Sequence, residues 1–168
     1  MTKVVKLDSK KAKKEPIDFD GFISKIRIDK KSEIPEIHYN LKNDKSEKIT
    51  ILKGKARPLD EFLTVMQSLA GVFCEICEIK DKINHTIITT VNFSEKNGVI
   101  ISGQVELENG IPQPLCMNTP HIILDNENGG YEISKANQEI LEELKRQAIL
   151  YIRGEGKEKQ TSLDLKEG

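Results

Sequence analysis

From Pro58 to Ile79, apolar residues recur at steps of three and four: Leu59, Phe62, Leu63, Met66, Leu69, Ala70, Phe73, Ile76 and Cys77. That spacing lays them along one stripe of a helix, with Phe62, Met66 and Phe73 turned toward a sheet. Pro58 suits the first turn, where its missing N–H has no partner to lose, and Asp60 and Glu61 follow where the helix dipole favours carboxylates. Gly71 falls inside the pattern at a cost of about 1 kcal/mol against Ala. Val72, Phe73 and Cys74 are nevertheless consecutive and apolar, so residues 72–79 fail a strand's alternation, and the expectation is one uninterrupted helix.

On either side of this helix the period is two. Phe22, Ser24, Ile26 and Ile28 alternate with Ile23, Lys25, Arg27 and Asp29. Ile37, Tyr39 and Leu41 repeat the pattern, and Ile49 with Ile51 repeat it again, which predicts three short antiparallel strands joined by hairpin-length links. After the helix, His85, Ile87, Thr89, Val91 and Phe93 alternate with Thr86, Ile88, Thr90 and Asn92. Asn97-Gly98 then marks a hairpin, because that dipeptide tolerates positive φ, and Val99, Ile101, Gly103, Val105 and Leu107 resume the alternation. Pro112, Pro114 and Pro120 strip backbone donors from the next segment, so Leu115–Leu124 reads as an edge strand. Ser134 is an N-cap for a second helix through Ile140, Leu141, Leu144, Ala148, Tyr151 and Ile152, ending at Gly154.

The predicted fold is α+β: an antiparallel sheet of about five to six strands with two helices on one face. Residues 1–20 read as a mobile basic arm, 21–154 as the single folded domain, and 155–168 as a disordered polar tail. The element order suggests two βββα halves, although no repeat at a fixed period is visible.

Composition narrows the function. With 26 basic and 27 acidic residues in 168, the formal net charge of −1 removes the argument for a globally basic nucleic-acid binder. Aromatics are 5% of the chain and tryptophan is absent, which disfavours a surface that stacks bases in series. Three cysteines are too few, and odd in number, for a disulfide scaffold, and no apolar run approaches the roughly 20 residues of a membrane span. The expectation is a cytoplasmic protein with no export signal and no cofactor.

Candidate chemistry is sparse. Cys74 and Cys77, with Cys116 and His121 downstream, have spacing that permits a zinc site, but Glu75-Ile76 between them lies inside a helical pattern, so packed core thiols and no metal are expected. His38, His85 and His121 have no serine or carboxylate at a motif spacing, there is no Walker loop, and Gly129-Gly130 before the second helix reads as a turn rather than an anion site, so no catalytic residues are assigned and the chain reads as non-enzymatic. Asn118, Thr119 and His121, around the rigid Pro120, form the candidate binding surface of the folded part. Lys10, Lys11, Lys13 and Lys14 read first as a solvated arm, with weak non-specific DNA contact as the other reading.

The terminal stretch Gln160-Thr161-Ser162-Leu163-Asp164-Leu165 resembles the short Gln-x-x-Leu-x-Leu peptides by which bacterial replication and repair proteins dock on the sliding clamp. Gln160, Leu163 and Leu165 are then the partner-binding residues, an amide and two leucines entering small preformed pockets. Together with Pro114-Leu115-Cys116-Met117-Asn118-Thr119-Pro120-His121 and the Tyr151-Ile152-Arg153-Gly154 helix end, it is similar to a loose group of small bacteriophage proteins. Those proteins carry an Asn-Thr-Pro-His stretch and a clamp-like terminus. The resemblance runs from about Pro58 to Leu165 and hands over no activity. It implies a phage accessory protein of DNA replication or recombination with a host protein as partner, the sliding clamp favoured. The alternative is a counter-defence protein that sequesters a host immune protein or a small nucleotide signal.

Overall fold

The computed structural model describes residues 19–42, 48–124 and 131–157. The alternating segments form β1 (Gly21–Ile28), β2 (Pro35–Leu41) and β3 (Thr50–Lys53), then β4 (Thr86–Ser94), β5 (Gly98–Val105), β6 (Leu115–Asn118) and β7 (Ile122–Ile123). All pair antiparallel in one sheet ordered β3-β2-β1-β4-β5-β6, with β7 beside β6 on the outer edge of β5. Helices α1 (Asp60–Ser68), α2 (Ala70–Ile76) and α3 (Lys135–Ile152) supply the apolar residues that cover one face. The α+β expectation holds.

Each half is a three-stranded meander followed by helix, and the halves meet through their first strands. At the seam Ile26 lies opposite Val91, Lys25 opposite Asn92 and Arg27 opposite Thr90. Both first strands carry one extra residue: the register slips at Ser24 in β1 and at Thr89 in β4. The two hydroxyls donate to equivalent places on the next strand, Ser24 to the His38 carbonyl at 3.2 Å and Thr89 to the Ser102 carbonyl at 3.4 Å. One step along the chain therefore carries Ile23, Ser24, Ile26 and Ile28 onto Ile88, Thr89, Val91 and Phe93. The isoleucines, Val91 and Phe93 of that set are buried. Ile26 and Val91 occupy equivalent positions and face each other, so an approximate two-fold axis passes between them. The repeat lives in register and burial, which is why it is not visible as sequence identity.

These bulges correct the face assignments. Alternation puts Ile23 with Lys25 and Arg27, and groups Phe22 and Ser24 with Ile26. The extra residue flips the pleat, because side-chain period two changes sign when one residue is added, and Ile23 joins Ile26 and Ile28 in the core. In β4 the same flip buries Thr86 and Ile88 together with Val91 and Phe93.

The long helix is also corrected. It breaks at Leu69, whose N–H bonds to Met66 O at 3.3 Å in a three-residue step, before Phe73 N–H returns to the four-residue ladder on Leu69 O. Ser68 donates its hydroxyl to Thr64 O at 2.7 Å, a local bond of the kind that bends helices. The bend falls at the serine, and Gly71 is passed without interruption. The apolar stripe survives, since Phe62, Met66, Leu69 and Phe73 are all buried, each worth roughly 1.5–3 kcal/mol by area. Beyond α2, Glu78 takes φ of 59° and a 3-10 turn, Lys80–His85, leads into β4.

The folded chain runs on past residue 154, where the sequence pattern ends the domain. Gly154 closes α3 with φ of 81°, as a helix-ending glycine does. Gly156 is then buried, its carbonyl accepts the Leu59 N–H at 3.1 Å, and Lys157 pairs with Pro58. Pro58 is thus held outside α1, and Asp60 is its first residue. Tyr151 locks the same corner: its hydroxyl donates to Ala56 O at 2.5 Å and its ring meets Phe62 edge-on.

Candidate functional site

Helices cover one face of the sheet, and the outward positions of the central strands make up the other. Lys25 and Arg27 come from β1, Thr90 and Asn92 from β4, Ser102 and Gln104 from β5, and Cys116 and Asn118 from β6. They line a groove of about 420 Å³ that crosses four strands. The sequence dictates this content, since strand residues that alternate with buried Ile, Val and Phe must point away from the core. Thr89, the bulged residue of β4, is itself in the lining.

Carboxylates near this face are engaged locally. Glu36 is opposite Arg27 across the β1–β2 ladder, but its Oε1 lies 2.7 Å from His38 Nε2. That hydrogen bond holds the Glu36 carboxyl below its usual range. Asp29 is drawn into the turn that follows β1, accepting from the Ser32 N–H at 2.8 Å, the Ser32 hydroxyl at 2.9 Å and the Lys31 N–H at 3.1 Å. The Ser32 bonds, backbone first, lower its pKa as well. Among the described residues neither Lys25 nor Arg27 comes within 4.0 Å of a carboxylate, although the charge of Arg27 helps to lower the pKa of both Asp29 and Glu36.

The fold separates the residues of the Asn-Thr-Pro-His stretch. Asn118 faces the open groove. Thr119 turns inward, 4% exposed, and its hydroxyl accepts the Ile101 N–H at 3.0 Å while its own N–H donates to Ile101 O at 2.8 Å. It substitutes a side chain for the ladder that Pro120 interrupts between β6 and β7. His121 sits over the β4–β5 hairpin, with Nε2 3.0 Å from the Ser94 hydroxyl, and a β-carbon at Gly98 would overlap its ring. The three side chains serve three local environments.

The cysteines are separated too. Cys74 is buried against the Thr86 hydroxyl at 3.3 Å, and Cys77 is half-buried beside it on the helix-covered side. Burial raises the Cys77 thiol above its ordinary value, with Cys74 adding to the shift, which keeps it protonated and a poor nucleophile at neutral pH. Cys116 is exposed on the opposite face. Among the described residues no three His, Cys, Asp or Glu side chains gather as a metal ion requires, and no helix is long and apolar enough to cross a membrane.

Gln160, Leu163 and Leu165, and Lys10, Lys11, Lys13 and Lys14, lie outside the described residues. The groove residues Lys25 and Arg27 are the site that sequence reasoning passed over. Their signal was present: two cations on the outward face of a strand whose neighbours present hydroxyls and amides. What was missing was the adjacency of β1 and β4, which chain order does not reveal. Comparison with protein-family models, with curated proteins and with solved structures finds no match.

Proposed function

We propose that this chain is a non-enzymatic phage accessory protein that acts on DNA replication or recombination machinery by docking the peptide Gln160–Leu165 on a sliding clamp. The observation that supports this reading is where the fold closes. Lys157 bridges to Pro58, and every described core residue lies between Ile23 and Tyr151. The hexapeptide follows that closure in the sequence, after a described core that is assembled without it. Leu163 and Leu165 each supply roughly 2 kcal/mol by filling apolar pockets, and the Gln160 amide sets the register by hydrogen bonding.

Purified clamp, immobilised and titrated with the full chain, tests the proposal. Leu163→Ala with Leu165→Ala abolishes capture and leaves the melting temperature unchanged. A wild-type chain that shows no binding at tens of micromolar overturns it. Counter-defence sequestration is then the remaining reading, although the separation of Asn118, Thr119 and His121 gives it no single pocket.

A further inference from the structure

The geometry points to the open sheet face as a docking surface for double-stranded DNA, contacted through its phosphates. This inference stands on the folded domain and does not rest on clamp docking. Six side chains around the two-fold seam carry it: Lys25, Arg27, Thr90, Asn92, Ser102 and Gln104. All six are hydrogen-bond donors of the kinds that contact phosphate, and two are cations without an ion pair among the described residues. Asp29 lines the same groove and, like Glu36, stays ionised; Ser32 and His38 hold the two carboxylates and both also attract Arg27, so the fully available positive charge of the face is that of Lys25.

Reach and composition choose the occupant. Four adjacent strands at about 4.8 Å spacing span roughly 14 Å, enough to follow a run of phosphates. A duplex presents one charge per about 1.7 Å of axis, so several fall within that span. The groove-lining residues include no Phe, Tyr or Trp, and single strands are normally held by stacking bases on such rings. A duplex needs no stacking surface. Because the attraction comes from a local patch on a chain of net charge −1, binding is weak, independent of base sequence and strongly salt-dependent.

Fluorescence anisotropy with a labelled random-sequence duplex of about 30 base pairs, and with one of its strands alone, reads this out. The protein is the full chain with Lys3, Lys6, Lys10, Lys11, Lys13 and Lys14 changed to Gln, which removes the lysines of the basic arm from the measurement. The expected result is duplex binding that is tighter than single-strand binding. Lys25→Gln with Arg27→Gln weakens it about tenfold or more and flattens the salt dependence by roughly 1.8 in log–log slope. Lys80→Gln with Lys135→Gln, equal in charge but on the helix-covered side, changes neither. Asn92→Asp, nearly isosteric at the centre of the face, weakens binding as well and covers the case in which the double variant folds poorly. Affinity unchanged by Lys25→Gln with Arg27→Gln and by Asn92→Asp, duplex binding that is absent, or a single strand held as tightly as the duplex, overturns the proposal. Because the tail takes no part, cutting the chain after Lys159 leaves duplex binding intact while removing clamp capture. The two readings therefore fail separately.

Discussion

The two βββα halves share their central strands and diverge toward their edges. In β1 and β4 the bulge, its hydroxyl contact and the buried set coincide position by position, and Ile37 on β2 matches Ile101 on β5, both fully buried. Farther out, Tyr39 has Gly103 as its counterpart. Tyr39 packs its ring on Phe19 with centroids 6.0 Å apart, whereas Gly103 leaves room for Phe73, whose ring atoms lie 3.1–3.2 Å from where a β-carbon would stand. The first half holds its edge with a β3 ladder that runs past Ile37, opposite Leu52, whereas the β6 ladder of the second half stops at Ser102 opposite Asn118 and the Thr119 hydroxyl takes over at Ile101. Strands buried against both neighbours have one workable register, and edge strands are free to be built in different ways.

The largest effect expected from testing this difference is at Phe73. Replacing it with Ala empties the space Gly103 provides and costs about 3–5 kcal/mol in chemical denaturation, as for a buried aromatic ring. A loss under 1 kcal/mol would mean that the aromatic filling of the second half is not what its missing side chain serves. Next is Thr119→Val, which keeps the shape but leaves the buried Ile101 N–H without its acceptor, a loss of about 1–3 kcal/mol. Leu52→Val, at the corresponding place in the first half, removes one methylene without touching the backbone ladder and costs less, roughly 0.5–1.5 kcal/mol. Equal losses from the two variants would erase the distinction between a side-chain edge and a backbone edge.

The smallest effect is electrostatic and belongs to the first half alone. Asp29 and Glu36 have folded pKa values below their ordinary ones, while Ile100, the counterpart of Glu36, cannot ionise. A lowered carboxyl favours the folded state once it is ionised in both states. Its contribution is therefore complete above the usual carboxylate range near pH 4–5 and is lost as pH falls through the folded value. Unfolding curves at pH 7 and pH 3 should converge for Asp29→Asn with Glu36→Gln relative to wild type. An unaltered pH dependence would remove these two groups as its source.

Periodicity by itself determined the element types, the antiparallel class, the apolar stripe through Phe62, Met66 and Phe73, and the ends of α3 at Ser134 and Gly154. These follow from contacts within a few residues: a 3.6- or 2-residue period, a capping hydroxyl, a glycine with positive φ. The pairing of β1 with β4 could not be read from the chain, because a β ladder between distant segments leaves no local mark beyond two alternating runs. The bulges at Ser24 and Thr89 came with that pairing, and they decided which isoleucines are inside. Thr119 shows the same limit, since a threonine before a proline has the signature of an exposed turn, and only the Ile101 N–H across the strand made it a buried acceptor. The open face was legible residue by residue, as outward positions of Lys25, Arg27, Thr90 and Asn92. It became a site only when tertiary structure set those strands side by side and put every described helix on the other side, where burial of the apolar stripes held them.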